Sequence, residues 1–148
     1  MRVKRIINKE DLQTAFAIRK EVFVEEQHVP LEVEYDEYDT LNGLCEHVLV
    51  YYHEQPVGTG RVRPVDQYGK LERICVLKPF RSYGLGKVII QALEDTTANN
   101  GQTRVKLHGQ TQAEGFYKKL GYTSSSDIFM EDGIPHVLMT KDLIDGKS

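Results

Sequence analysis

Cysteine is scarce in this chain. Among 148 residues only Cys45 and Cys75 occur, without the short spacings of zinc or redox sites. Cys75 sits in an apolar run, where a small buried thiol is the expected reading, and nothing in the sequence supplies it with an activating base. The five histidines are scattered, so no metal is expected. No apolar run is long enough for a membrane span, and the first residues lack the pattern of a secretory signal. A reducing cytoplasm is the expected compartment. Charge of one sign is not in excess: 19 Lys and Arg stand against 22 Asp and Glu, a net −3, which disfavours nonspecific nucleic-acid binding. No repeat, low-complexity segment or linker divides the chain, so one domain over residues 1–148 is expected, large enough for a sizeable core.

The informative stretch runs from Lys70 to Glu94, KLERICVLKPFRSYGLGKVIIQALE. Leu71, Ile74, Cys75, Val76 and Leu77 read as a strand, which Pro79 ends because it has no N–H to donate. Arg81-Ser82-Tyr83-Gly84-Leu85-Gly86 reads as a turn. Leu85, Val88, Ile89, Ala92 and Leu93 then recur at the spacing of a buried helical face. Strand, glycine turn and helix together aim backbone N–H groups at an anion such as a phosphate. A P-loop would need glycine where Arg81 stands and a hydroxyl where Val88 stands. A dinucleotide-binding turn would need a third glycine and an opening βαβ unit. R-x-x-G-x-G remains, and a plain strand–helix turn fits those six residues as well.

The rest of the chain supplies the frame. Val3–Ile7 is a first strand, and Asn8 caps a helix reaching about Gln27. Leu12, Ala15, Phe16, Arg19, Val22, Phe23 and Glu26 share one face of it. His28–Leu44 contains Pro30 and the acids Glu32, Glu34, Asp36, Glu37 and Asp39. It reads either as a solvated loop or as a segment that attracts a cationic ligand, with Arg19, Glu26, Asp36 and Asp39 as candidate contacts and Tyr35 and Tyr38 packing nearby. Cys45–His53 and Pro56–Pro64 are strands joined at Glu54-Gln55, and Asp66–Gly69 turns into the central strand, giving an antiparallel meander. Asn99-Asn100-Gly101 stops the central helix. Arg104–His108 is a strand, and Thr111–Glu114 has the form of a capping box before a short helix. Tyr122–Met130 and Pro135–Lys141 are two last strands around Asp132-Gly133, followed by a polar tail, Lys141–Ser148. The order β-α-β-β-β-α-β-α-β-β predicts an α/β (α+β) fold: a mixed, mostly antiparallel sheet of about seven strands with helices on both faces. Edge strands near the C-terminal end make a homodimer conceivable.

Three stretches resemble one family. Arg81–Gly86 resembles the pyrophosphate loop of the GNAT superfamily of N-acetyltransferases. Gln110–Tyr122, QTQAEGFYKKLGY, resembles that family's A-x-x-x-Y-x-x-x-G-[FY] helix, with Gln110 where many members have Asn. Arg19–Asp39 together with Glu131–His136 resembles its ElaA-like and YjcF-like bacterial branch. The resemblance implies acetyl-CoA as cosubstrate and an amine of a small molecule or protein as acceptor. It implies that the backbone of Ile74, Cys75 and Val76 pairs with the pantetheine arm between two splayed strands. It implies that Arg81, Ser82, Tyr83, Gly84, Leu85, Gly86 and Lys87 hold the pyrophosphate, and that the Val76 N–H polarises the thioester carbonyl.

Acetylating an amine requires a neutral nitrogen, a donor for the oxyanion and an acid for the departing thiolate. As a residue alone Tyr117 reads more readily as core on the Phe116–Leu120 face; its match to the family's tyrosine, the acid to the thiolate, reverses that reading. The candidate bases are Glu72, Glu26 and His136. Glu72 falls four residues before Val76, hence on the same strand face, and reads otherwise as a solvent-facing acid. His136 has a ring whose ordinary pKa, about 6.5, suits proton transfer. Direct transfer in a ternary complex, without an acyl-enzyme, is expected. A non-catalytic acyl-CoA sensor and a protein-interaction domain are the alternatives on the same fold.

Overall fold

The computed structural model describes residues 2–143. Strand β1 (Arg2–Arg5) leads into helix α1 (Lys9–Arg19). Asn8 is extended, and its Oδ1 accepts the Asp11 N–H at 2.8 Å, closing the helix start. Beyond Arg19 the helix widens into a π-helical stretch, Lys20–Glu26. There the Gln27 N–H reaches back to the Val22 carbonyl at 3.1 Å. The wider turn changes the helical phase, so Val22 stays buried while Glu26 faces outward. The acidic segment is not wholly irregular, because it holds one helical turn, α2 (Leu31–Glu34).

Strands β2 (Glu46–Tyr52), β3 (Gln55–Val65) and β4 (Tyr68–Val76) form the expected meander. Their hairpins turn on His53-Glu54 and Asp66-Gln67, all four residues having positive φ between 52° and 71°. That backbone matches the twist of the flanking strands. The first turn lies one residue before the expected Glu54-Gln55. Helix α3 (Leu85–Asn99) and strand β5 (Arg104–Gln110) follow, then a tight turn Thr111–Ala113 and helix α4 (Glu114–Lys119). The capping box does not form. The Glu114 carboxylate instead accepts the Ser124 hydroxyl.

The expected strand Tyr122–Met130 is broken in two, β6 (Thr123–Ser124) and β7 (Phe129–Glu131), both pairing with β8 (Ile134–Asp142). The sheet therefore has eight strands among the described residues, in the order β1-β2-β3-β4-β5-β8-β6 with β7 also on β8. Lys141 and Asp142, expected in the polar tail, pair with β5; the tail from residue 144 lies outside the described residues. Among the described residues only β4 and β5 run parallel. No helix among the described residues is long and apolar enough to cross a membrane.

Helices cover both faces, each with its own apolar cluster. Leu85, Ile89, Ile90 and Leu93 of α3 pack on Val48, Val62, Leu71, Val76, Val105 and Leu107. Leu12, Ala15, Ile18 and Val22 pack on Ile6, Leu49 and Cys75 on the opposite face. Close seating of α3 depends on Gly60 of β3. A Cβ there would lie 2.7 Å from Ile89 Cγ2 and 3.1 Å from Leu93 Cδ1, inside van der Waals contact.

One feature of β4 overturns an expectation about side-chain direction. The register passes from Thr59↔Cys75 to Arg61↔Glu72, so β4 holds one extra residue. Arg73 stands in this bulge at φ 56°. The extra residue reverses the strand's parity. Val76 packs under α3, whereas Glu72 turns to the other face and meets Arg61, Arg63 and Lys70. Glu72 and Val76 do not share a face.

The acidic segment is also corrected. Glu34, Asp36 and Asp39 turn inward onto arginines rather than outward to a ligand, while Glu32 and Glu37 stay exposed. Arg19 is 1% exposed and donates Nε–H to Glu34 Oε2 at 2.9 Å and Nη1–H to Asp39 Oδ1 at 2.6 Å. Arg61, also 1% exposed, donates to both Asp36 oxygens and to Asp39 Oδ1, each at 2.8 Å, and to Glu72 Oε1 at 3.0 Å. Arg73 donates to the Glu34 carbonyl at 3.0 Å through Nη2. Burial by itself would raise the carboxyls of Asp36 and Glu72. The cations beside them win, and both groups are pulled down to about 2.

That shift fixes a pH dependence. An unfolded Asp or Glu titrates near 4, above these folded values, so the native state binds fewer protons. The stabilisation is complete above about pH 5 and is lost as pH falls through 4 toward 2, by roughly 2–3 kcal/mol for one such group. The two groups share Arg61, so their effects do not add in full. Urea midpoints measured from pH 7 to 2.5 should be steady down to pH 5 and fall steeply below pH 4. A flat profile to pH 3 would mean that the network is hydrated.

Candidate active site

The parallel pair β4–β5 is short. Gly69–Leu71 faces Val105–Leu107, and beyond that point the two strands have no pairing. A cleft of about 380 Å³ opens between them and passes from the α1 face of the sheet to the α3–α4 face. Its β4 wall carries Lys70 to Val76, and its β5 wall carries Leu107, His108 and Gln110. The bulge at Arg73 bends β4 at the level where the strands part.

At the α3 end, a tight turn Lys78–Tyr83 leads to Gly84 at φ 74°, and α3 begins at Leu85 without a side-chain cap. Only glycine holds that φ without strain. The first N–H groups of α3 have no partner within the helix, and the dipole adds positive potential. Gly86 and Gly84 line the cleft; Leu85 buries its side chain and offers only backbone. Ser82, Tyr83 and Lys87 are exposed beside the turn, with Tyr83 stacked on Tyr52 at 4.5 Å and 9°. Arg81 is more committed than the sequence suggests. Its Nε–H meets the Val76 carbonyl at 2.8 Å, and its Nη1 and Nη2 meet both oxygens of Glu26 at 2.6 and 2.7 Å.

Tyr117 of α4 lines the cleft, with its ring over Gly109. Its hydroxyl has no hydrogen-bond partner among the described residues. Burial pushes it up to about 12, so it holds its proton at neutral pH. Gln110 also lines the cleft, and its Nε2 donates to Gln27 Oε1 at 2.9 Å.

The candidate bases have separate fates. Glu26 is paired with Arg81 at the surface and does not line the cleft. Glu72 lines it but is held at about 2 by its cations. His136 lines it too. Its Nδ1 lies 2.7 Å from the Ile134 carbonyl, which can only accept. In the neutral ring Nδ1 therefore carries the proton and Nε2 is the acceptor. Arg19, Asp36 and Asp39, the other candidate acceptor contacts, do not line the cleft. Cys75 does, but burial pushes its thiol up, away from the thiolate.

A pair overlooked in the sequence stands beside His136. His108 Nδ1 lies 2.7 Å from Glu131 Oε1, and both residues line the cleft. His108 holds the Glu131 carboxyl below its ordinary value. Phe129 stacks on His136 and meets His108 edge-on, at 6.1 and 5.0 Å between centroids. β8 brings these residues together by pairing with β5 on one side and β7 on the other. Alternation along β5 could have placed His108 with Gln110, but nothing local links His108 to Glu131.

Comparison with known proteins agrees with this geometry. A family model described as the acetyltransferase (GNAT) domain matches residues 7–143. YyaT of Bacillus subtilis strain 168, an uncharacterized protein, is 60% identical over 143 residues, 97% of each chain. YjcF of the same organism, described as an uncharacterized N-acetyltransferase, is 53% identical over 136 residues, 91% of this chain and 95% of its own. A crystal structure of a candidate N-acetyltransferase from Lactobacillus plantarum superposes with a TM-score of 0.88 at 32% identity, over 97% of this chain and 98% of that one. The chain therefore belongs to the GNAT family of acetyltransferases.

Proposed function

We propose that this enzyme moves an acetyl group from acetyl-CoA directly to the amine of a small molecule or of a protein, in a ternary complex. The observation that carries this reading is the Tyr117 hydroxyl. It is half-buried, protonated and without a protein partner among the described residues, in a cleft bounded by an unpaired segment of β4 and the Gly84 turn. A donor that the protein leaves unmatched at the wall of a cleft is free to meet a ligand, and in this reading a thioester sulfur is its partner.

In this reading the pantetheine arm lies along Ile74, Cys75 and Val76 as an added strand. The pyrophosphate meets the backbone of the turn from Arg81 to Lys87. The acceptor enters from the α1 face, and His136 Nε2 takes the proton that frees the nitrogen lone pair. The nitrogen attacks the thioester carbon, and the Val76 N–H receives the oxyanion. The C–S bond breaks as the oxyanion collapses, and sulfur takes a proton from Tyr117. A phenol at about 12 gives its proton to a thiolate of ordinary pKa about 8.5 only uphill, by about 5 kcal/mol. The transfer is therefore coupled to loss of the second nitrogen proton, which restores the phenol. An ammonium ion and acetyl-CoA become an amide, CoA thiol and one proton.

Thermal unfolding with acetyl-CoA, CoA and ATP tests the donor site. Acetyl-CoA at about 100 times its Kd should add roughly 2.7 kcal/mol. CoA should stabilise as well, and ATP should not. Release of CoA thiol across a panel of amines then tests transfer. Without stabilisation by either CoA species the proposal fails. Stabilisation without thiol release would leave an acyl-CoA sensor.

A further inference from the structure

The acceptor end of the cleft has two chemically different walls, and their charges are not spent equally. On the β4 wall, Glu34 is met by Arg19 and Arg73, and Glu72 by Arg61, Arg63 and Lys70. With Asp36 and Asp39, four carboxylates face five cations in this network. Of these five cations, Lys70 and Arg73 line the cleft. Arg73 uses Nε and Nη2 on Glu34 and Asp36, and its Nη1 has no partner among the described residues. Lys70 Nζ has one carboxylate contact, at 3.1 Å to Glu72 Oε2, and three protons to donate. Arg73 is moreover held at φ 56°, a costly conformation for a residue with a side chain. The bulge puts this guanidinium where the cleft opens.

The opposite wall, from β5 and the β7–β8 hairpin, is acidic and proton-accepting. It carries the His108–Glu131 pair and the His136 ring, whose Nε2 lone pair is available. Asp132 at the hairpin tip lines the cleft and forms no ion pair among the described residues. An ammonium group fits this side, and an anion fits the β4 side.

We propose that the acceptor is a zwitterion, an amine bearing an anionic group such as a carboxylate, whose anion is held by Arg73 and Lys70 while its ammonium faces Glu131, Asp132 and His136. This rests on the N-acetyltransferase reading and narrows its substrate class. It also departs from the expectation of a cationic acceptor drawn to the His28–Leu44 segment, because Glu34, Asp36 and Asp39 are paired within the protein, while Glu32 and Glu37 are exposed and do not line the cleft.

Matched pairs of ligands test the proposal by binding rather than by turnover alone. CoA-saturated protein is titrated calorimetrically with lysine and cadaverine, with ornithine and putrescine, and with phosphoethanolamine and ethanolamine. The anionic member of at least one pair should bind ten-fold or more tightly, and the third pair separates a phosphate from a carboxylate. In Arg73→Gln and Lys70→Met that preference should shrink below three-fold, with Arg73→Lys restoring part of it. Thermal unfolding of each variant confirms that it is folded. Equal or tighter binding of the anion-free member in all three pairs, or no binding of any member, overturns the proposal. CoA release is followed in parallel. Zwitterion binding without CoA release upholds the recognition site and removes the transferase reading, whereas equally rapid release from diamines removes only the zwitterion.

Discussion

Arg61→Ala should lower the unfolding free energy by about 3–5 kcal/mol, the largest stability effect expected of any single change in the charge network. The reason is the number of groups that share one guanidinium. Arg61 is 1% exposed and serves Asp36, Asp39 and Glu72 at 2.8–3.0 Å. Its removal leaves three carboxylates that were dehydrated in exchange for its charge. Asp39 retains Arg19, and Glu72 retains Arg63 and Lys70, but Asp36 retains the Tyr38 N–H at 3.0 Å and, of the cations among the described residues, only Arg73 at 3.4 Å. The loss is a large share of the roughly 5–15 kcal/mol by which domains are stable. Urea denaturation should show a lower midpoint at nearly the same m-value. Arg61→Lys should recover little, since a point charge cannot donate from three nitrogens in one plane. A loss below about 1 kcal/mol would mean that water replaces Arg61 at little cost.

Tyr117→Phe should lower kcat by about 10²–10⁴-fold while leaving CoA affinity within about three-fold. The substitution deletes one oxygen from a ring that packs on Gly109 and Tyr122, so the cleft keeps its shape. What is lost is the proton for the departing thiolate, about 3–5 kcal/mol of the barrier. Steady-state CoA release and a CoA titration measured side by side separate the two roles. Unchanged kcat would give the proton to solvent. Weakened CoA binding with unchanged kcat would make Tyr117 a packing residue.

How far each feature could be read along the chain depends on the distance over which its cause acts. The buried face of α3, the Asn8 cap, the stop near Gly101 and the Asp132-Gly133 turn are set by residues within a few positions of one another. Periodicity and turn chemistry report them directly, and with them the element order and the mixed sheet. The glycine turn before α3 belongs to the same class, because Gly84 at φ 74° is a local requirement.

The charged side chains along the cleft belong to the other class. The acids of His28–Leu44 look solvated when read alone, since their partners stand 15 to 25 residues away or more, as in Arg19–Glu34 and Arg61–Asp36. The His108–Glu131 pair spans 23 residues and exists only because β5 and β7 flank the same strand. The strand parity of Glu72 turned on a bulge at Arg73, an arginine in a backbone region where glycine would have given a signal. A side chain's direction follows from its own strand, but its charge is settled by whatever the fold sets opposite it. Local order and the glycine turn before α3 were therefore written in the chain itself. Which acids and bases remain available for chemistry was settled by the folded packing, because low-dielectric ion pairs form between residues that only the sheet brings within 3 Å.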